Sequence, residues 1–339
     1  MVNSGFFVLI AIGDVAEAYG VCKIPGMPIH LSYTTITLRR DNMSRRPTDW
    51  VSSRAKKNIK AVAVHGQHNL IIDGNPPQAA IFEGETARAL IDAGRQEILL
   101  GTEDDTPVFA VALDDKVAAK ISTLAGPNAT FMDLRQVGPR LTDAEGHVLA
   151  HARGMTYWHD RHGFCGVCGA PTESRHHGHE RVCLNNDCGV SHFPRTDPAV
   201  IMLVSRDDIP GGACLLGSHA RWSFGMYSTL AGFVEPGETL EQCVEREVFE
   251  ESGIHTTDIT YMASQPWPFP SSLMLGFRAR ATSYGIECDP EELKDAQWFT
   301  REQVLDMKEF ADAKDDDTRL PRKDSISRWL IQTWLDDVG

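Results

Sequence analysis

The chain has 339 residues, enough for one large core and more readily for two or three modules. With 42% hydrophobic and 24% charged residues, its composition is that of an ordinary soluble globular protein rather than a membrane, fibrous or disordered one. A net charge of −14 argues against a broad nucleic-acid-binding surface, because a phosphate backbone is gripped by Lys and Arg replacing its counterions; a phosphate-bearing ligand must be held locally, by metal and a few cations.

The opening run Gly5 to Gly13, GFFVLIAIG, is apolar but too short to cross a bilayer. No basic residue precedes it and no clear small-residue cleavage site follows, so neither a signal peptide nor a membrane span is expected, and the compartment is read as cytoplasmic and reducing. The cysteines agree: Cys22, Cys214, Cys243 and Cys288 are scattered and the other four are clustered, unlike a disulfide framework. Residues 1–36 carry no usable motif and are set apart as an extension. From Asp41 to Trp50 the chain reads as polar, then helical.

Between 60 and 115, the short apolar runs Ala61–Val64, Leu70–Ile72, Ala80–Phe82, Ile98–Leu100 and Val108–Leu113 alternate with turn signals, with a sharp loop at Gly74-Asn75-Pro76-Pro77. A strand-rich domain over 37–160 follows, with packing or dimerisation as its default role. Phe131 to Leu141 then leads, past Arg135, into a helix over Ala144–Trp158.

Cys165-Gly-Val-Cys168, fourteen residues, and Cys183-Leu-Asn-Asn-Asp-Cys188 make two knuckles that can bring four thiolates to a tetrahedral Zn²⁺. Gly169 and Gly189 let the backbone turn around it. Four residues separate the second pair where two are commoner, and a redox Cys-x-x-Cys is the lesser alternative. His176, His177 and His179, between the pairs, read as surface residues of the hairpin. A closed four-cysteine site has no open coordination position, so this zinc is expected to be structural, one per chain, in a ribbon over 161–195.

Over 196–339, strands are expected at Ala199–Val204, Cys214–Leu216, Tyr227–Ala231, Ser272–Ala281 and Gln297–Phe299, and helices from Arg301 and over Ser325–Leu335. This is an α+β arrangement, a mixed sheet sandwiched by helices. Its centre is GFVEPGETLEQCVEREVFEESGI, Gly232 to Ile254. Pro236-Gly237 makes a turn, Thr239 and Gln242 suit a capping box, and Gly253 stops the helix. Leu240, Val244 and Val248 form an oily face, with Cys243 beside them, while Glu247, Glu250 and Glu251 stand together on another. Like charges so placed cost an isolated helix roughly 0.2–0.5 kcal/mol per pair. A solvated face is one reading; a hard divalent cation, Mg²⁺ or Mn²⁺, is the other, with Arg246 pinning one carboxylate. Further on, SQPWPFPSS (Ser264 to Ser272) alternates prolines with Trp267 and Phe269; it is either a stiff loop offering flat faces to a base or a rigid loop burying two aromatics.

The spacing of Gly232, Glu238, Arg246-Glu247-Val248, Glu250-Glu251 and Gly253-Ile254 resembles the Nudix box at all nine of its defined positions. Together with the four-cysteine ribbon before it and SQPWPFPSS after it, the chain over about 38–335 is similar to the NADH pyrophosphatases of the Nudix hydrolase superfamily. The resemblance implies a Nudix fold preceded by a zinc ribbon and the strand-rich domain. It also implies metal-dependent hydrolysis of the diphosphate bond of NADH, and more weakly of NAD⁺, to nicotinamide mononucleotide and AMP, with NAD-cap removal from RNA 5′ ends as a further activity and a homodimer as the assembly. Carried over residue by residue, Glu247, Glu250, Glu251, Glu292 and the carbonyl of Ala231 fall at the metal, with Glu291 a possible confusion for Glu292, and Arg246 in the catalytic constellation. Which of Glu250 and Glu251 is the base stays open. Arg135, Phe193, Phe233, Gln265, Pro266, Trp267, Pro268, Phe269, Pro270, Ser271, Ser272 and Ser327 fall at the substrate; Phe193 stands where bacterial relatives often carry tyrosine. The rival readings are an inactive Nudix module that senses a nucleotide, and a pyrophosphatase of another dinucleotide such as ADP-ribose.

Overall fold

The structure is a computed structural model that describes residues 31–40, 58–222, 225–314 and 317–337. The run Gly5–Gly13 and the stretch Asp41–Trp50 lie outside the described residues.

Seven strands build the first sheet: β1 (Lys60–His65), β2 (His68–Ile72), β3 (Gln78–Ala79), β4 (Ile81–Glu83), β5 (Gln96–Glu103), β6 (Thr106–Leu113) and β7 (Ala129–Asp133). Their order is β3-β2-β1-β6-β5, with β4 also on β1 and β7 on β2; β1 and β6 run parallel, Val62 opposite Ala110. Both faces are covered, which is why these strands read as continuous apolar runs. Val62, Val64, Ile98, Leu100 and Ala110 pack with Leu149, Ala152 and Met155 of a long helix, while Ala61, Ala63, Leu99, Phe109 and Val111 pack on the other face with Leu90 and Ile121 of two helices that the sequence reading did not anticipate. Those two are α1 (Gly84–Ala93) and α2 (Asp115–Ala125), the latter capped by the Asp114 side chain on the Val117 amide. A short α3 (Leu134–Val137) carries Arg135, and the long helix α4 (Asp143–Arg161) starts on a Thr142–Glu145 capping box.

The three-stranded ribbon is β8 (Thr172–Arg175), β9 (Glu180–Cys183) and β10 (Ser191–His192). It is bolted to its neighbours by polar contacts rather than by a core. The buried His159 ring of α4 meets the Gly178 carbonyl at 2.8 Å and Arg181 at 2.9 Å, and Arg181 also donates to the carbonyls of His162 and Thr172. His179 is half-buried, 2.7 Å from the Leu99 carbonyl of β5, so it is a domain tie and not the surface residue expected from sequence.

The second large sheet comprises β11 (Asp197–Arg206), β12 (Ala213–His219), β13 (Leu230–Phe233), β14 (Thr256–Trp267), β15 (Ser272–Ala281) and β16 (Leu293–Thr300), in the order β14-β15-β11-β12-β16 with β13 on β11. Helix α5 (Leu240–Ser252) buries Cys243, Val244 and Val248 against Val200, Met202 and Phe277. After α6 (Arg301–Asp306), α7 (Ile326–Asp336) packs on β11 and β15. β14 was not anticipated, and it changes the meaning of the proline-rich stretch. Gln265, Pro266 and Trp267 are ladder residues opposite Met274, Leu273 and Ser272, so the expected loop is the tip of a β-hairpin. Register then positions the site: Ser272 lies opposite Asp197, and Phe233 opposite Ala199 two residues along the same strand, so the hairpin tip and the start of the box loop share one end of the sheet.

Candidate active site

Helix α5 presents its carboxylates as a consequence of how it is anchored. The Thr239 side chain and Gln242 close a capping box at one end, and Gly253 takes a left-handed φ of 69° at the other, returning its amide to the Phe249 carbonyl at 2.7 Å. With Val244 and Val248 pinned in the core, the acidic face turns toward β13.

Glu251 is only 7% exposed, and its Oε2 is buried with no hydrogen-bond partner. Burial, reinforced by the charges of Glu247 and Glu292, pushes its carboxyl up to about 8. The Glu247 carboxyl is also raised, chiefly by burial, with Glu250 and Glu292 adding to it against the opposing pull of Arg246. Glu247 has room only because residue 232 is glycine: a Cβ there would stand 1.7 Å from its Cδ and about 2 Å from both carboxylate oxygens, at 2.0 and 2.1 Å. Glu292, exposed just before β16, acts on both Glu247 and Glu251 through its charge; Glu291 instead donates its amide to Asp289. Ala231, inside β13 and opposite Ile201, gives Glu251 a backbone hydrogen bond that partly offsets the upward shift.

Arg246 does more than pin one carboxylate. It grips Glu238 in bidentate fashion at 2.8 and 2.9 Å, holding that carboxyl down to about 2, and donates to Glu247 at 2.8 Å, Glu250 at 3.0 Å and the Phe233 carbonyl at 3.0 Å. It is a staple between box loop and helix, itself raised well above the usual arginine range. The residues present fit a divalent cation: an orphaned buried carboxylate oxygen on Glu251, a second carboxyl, Glu247, that resists ionisation, and a glycine that leaves the space clear. Among the described residues, however, the one set of three or more His, Cys, Asp or Glu ligand atoms within 4.8 Å of each other is the four cysteines; the box carboxylates stand further apart, two of them bridged by Arg246.

In that cysteine set the Sγ atoms of Cys165 and Cys188 are 3.8 Å apart and those of Cys168 and Cys183 are 3.4 Å apart, close to the roughly 3.8 Å edge of a tetrahedron with 2.3 Å zinc–sulfur bonds. Gly169 and Gly189, at φ 74° and 57°, take the left-handed turns after each knuckle, and His192 brings Nε2 to 3.3 Å from Cys165.

Around the hairpin the predicted substrate residues separate into two groups. Trp267, Pro266, Pro268, Ser271 and Ser272 line a cleft of about 300 Å³ between α4 and the second sheet, with Arg195 at its wall. Pro270 is exposed at the tip, and Phe193 and Phe233 are 62% and 61% exposed at the ends of β10 and β13. The other group is enclosed. Gln265 is fully buried: its amide donates to the Asp324 and Ser32 carbonyls, and its carbonyl accepts from the Ile326 amide. Ser327 is buried against Ser228 and Thr229. Phe269 lies inside the core of the first sheet, edge-on to Trp267 and Tyr33, with the guanidinium of Arg135 5.0 Å from its ring and that of Arg153 4.7 Å from it. The side chains of Gln265, Phe269 and Ser327 are thus engaged within the protein itself. Arg135 is exposed and donates to the Phe269 carbonyl at 3.3 Å. The sequence reading passed over Tyr33 and Arg153, since a lone tyrosine and a lone helical arginine carry no spacing signal.

Comparison with known families matches three models in succession: an NADH pyrophosphatase-like rudimentary NUDIX domain over residues 60–158, an NADH pyrophosphatase zinc ribbon domain over 160–193, and a NUDIX domain over 195–321. The NAD-capped RNA hydrolase NudC of Stutzerimonas stutzeri is 41% identical over 272 residues, covering 80% of this chain and 88% of that protein. NudC of Mycobacterium bovis is 36% identical over 277 residues, 76% of this chain and 86% of that protein. Human NAD-capped RNA hydrolase NUDT12 is 46% identical over 202 residues, 58% of this chain but 43% of its own length, so the match spans less than half of that relative.

Proposed function

The chain belongs to the zinc-ribbon NADH pyrophosphatases of the Nudix hydrolase family, and from that membership we propose that it hydrolyses the diphosphate bond of NADH and NAD⁺, releasing nicotinamide mononucleotide and AMP, and removes NAD caps from RNA. The observation that carries the reading is Glu251, a buried carboxyl with an oxygen left unpartnered and under the charges of Glu247 and Glu292. A folded protein keeps such a group when a ligand completes it.

In this proposal Glu247, Glu250, Glu251, Glu292 and the Ala231 carbonyl hold Mg²⁺ or Mn²⁺. When bound, the metal neutralises charge on the diphosphate and orients the attacking water. Arg246 keeps Glu238 and Glu247 in place, and Glu250 or Glu251 takes the water's proton. Trp267 offers a face to one nucleoside in the cleft, beside Ser271 and Ser272. The Ser271 hydroxyl donates to Asp197 at 2.7 Å, which fixes that wall. Zinc at Cys165, Cys168, Cys183 and Cys188 is structural.

We further divide the chain at 37–160, 161–195 and 196–339, with 1–36 as an extension, and take the assembly to be a homodimer. Exposed Phe164, Val167, Leu184 and Phe193 on the ribbon support an apolar contact there. No helix among the described residues is long and apolar enough to cross a membrane.

The test is turnover of purified protein on NADH, NAD⁺, ADP-ribose and NAD-capped RNA, with and without Mg²⁺ or Mn²⁺. Metal-dependent release of AMP and reduced nicotinamide mononucleotide is expected. Binding without turnover would make the chain a nucleotide sensor, and a strong preference for ADP-ribose would move it to another dinucleotide.

A further inference from the structure

Arg153 is a residue of α4 with 2% exposure, and the partners it uses come from three separate stretches of chain. Its guanidinium donates to the backbone and side-chain carbonyls of Gln67 in the turn between β1 and β2, to Asp133 at the end of β7 at 3.2 Å, and to the Pro268 carbonyl of the hairpin tip at 2.8 Å. The first two partners belong to the same domain as α4 and fix where the guanidinium sits. The third lies in the hairpin of the other large sheet. The same guanidinium also lies 4.7 Å from the Phe269 ring, which is packed in the core of the first sheet with Val62, Val137 and Leu149. Trp267 then packs edge-on to Phe269, ring centres 5.1 Å apart, with its own ring on the cleft wall.

The chain of contacts runs from a rigid helix through Arg153 to the backbone of Pro268 and the ring of Phe269, and from there to Trp267. We propose that Arg153 is a positioning residue through which the first domain, which carries no box of its own, sets the conformation of the substrate hairpin; this rests on the NADH reading above. A planar, permanently charged fork is what the position demands, because three hydrogen-bond directions and a ring face are met at once. Holding Trp267 in one place before the dinucleotide arrives removes an ordering cost from binding and leaves the box carboxylates untouched.

The experiment compares wild type, Arg153→Met, Arg153→Lys and Phe269→Leu for kcat and KM with NADH, thermal midpoint, and hydrogen exchange of the peptide spanning Ser264–Met274 against the peptide spanning α5. Arg153→Met should raise KM for NADH about tenfold or more while kcat stays within about threefold, and exchange should quicken in the hairpin but not in α5. Arg153→Lys should restore part of the KM. If Arg153→Met does not fold, Phe269→Leu reads the same coupling from the hairpin side, with the same KM-selective loss expected. Unchanged KM and unchanged hairpin exchange overturn the proposal, as does faster exchange throughout the chain with kcat and KM damaged alike. Absence of NADH turnover in wild type would defeat the substrate reading alone, and hairpin-selective exchange would then decide the role of Arg153.

Discussion

Glu251 keeps its proton to about pH 8 because burial and the charges of Glu247 and Glu292 all oppose ionisation. In the unfolded chain a glutamate ionises near 4.5, so between about 4.5 and 8 the folded state without divalent cation binds the extra proton. The stabilisation is whole below about 4.5 and is lost as the pH rises through 8. Glu251→Gln has nothing to ionise. Compared at each pH without added divalent cation, it should therefore gain on wild type as the pH rises from 5 to 8.5, by on the order of 1–4 kcal/mol at the top, while its kcat with metal present falls at least about a hundredfold. Parallel melting curves across that range, or near-normal turnover, would show that Glu251 is neither a strained acid nor a ligand. Gly232 is the complementary case. The three nearest atoms that an added methyl would meet all belong to the flexible end of Glu247, so Gly232→Ala should fold with a melting temperature within a few degrees of wild type and lose about tenfold or more in kcat as Glu247 swings away. Full activity in that variant would mean that Glu247 need not lie against β13.

At the scale of elements, what could be read in advance was what is local. The capping box of α5, its glycine stop and its two faces follow from spacing within the run from Thr239 to Gly253, and the ribbon from the spacing of four cysteines. What could not be read was long-range pairing. Gln265 and Ser327 are polar residues near a substrate motif, but the partners of Gln265 lie 59, 61 and 233 residues away, and those of Ser327 98 and 99 residues away. Helices α1 and α2 were hidden because each buries only a few small or aliphatic residues. The ribbon has little apolar core, so its attachment depends on Arg181, His159 and His179 being held in register. Cys183→Ser should then abolish stoichiometric zinc and lower the melting temperature, because Arg181 sits two residues before the lost ligand on β9. Unchanged zinc content in that variant would remove the site.

Across the whole molecule, charge separates the two substrates proposed for one active site. The net charge of −14 opposes any polyanion, and several cations of the proposed site and its surroundings are engaged within the protein: Arg40 with His147, Arg153 with Asp133, Arg322 with Asp324, Arg246 with three glutamates, and Arg135 with the Phe269 carbonyl, while Arg195 stands at the cleft wall. An NADH molecule carries two phosphates into the metal site and little else for that field to repel. A capped RNA brings the same dinucleotide with a chain of phosphates trailing from it, all outside the cleft and all subject to the field of the whole surface. Raising the ionic strength shortens the screening length from about 30 Å at 0.01 M to about 8 Å at 0.15 M, which should relieve that repulsion selectively. The ratio of kcat/KM for NAD-capped RNA to kcat/KM for NADH should therefore rise with salt over this range, and rise more for a longer RNA. A protein that gripped the RNA body through a basic groove would do the opposite, losing affinity steeply as each displaced counterion is returned. A ratio that falls with salt would thus reveal a cationic RNA path.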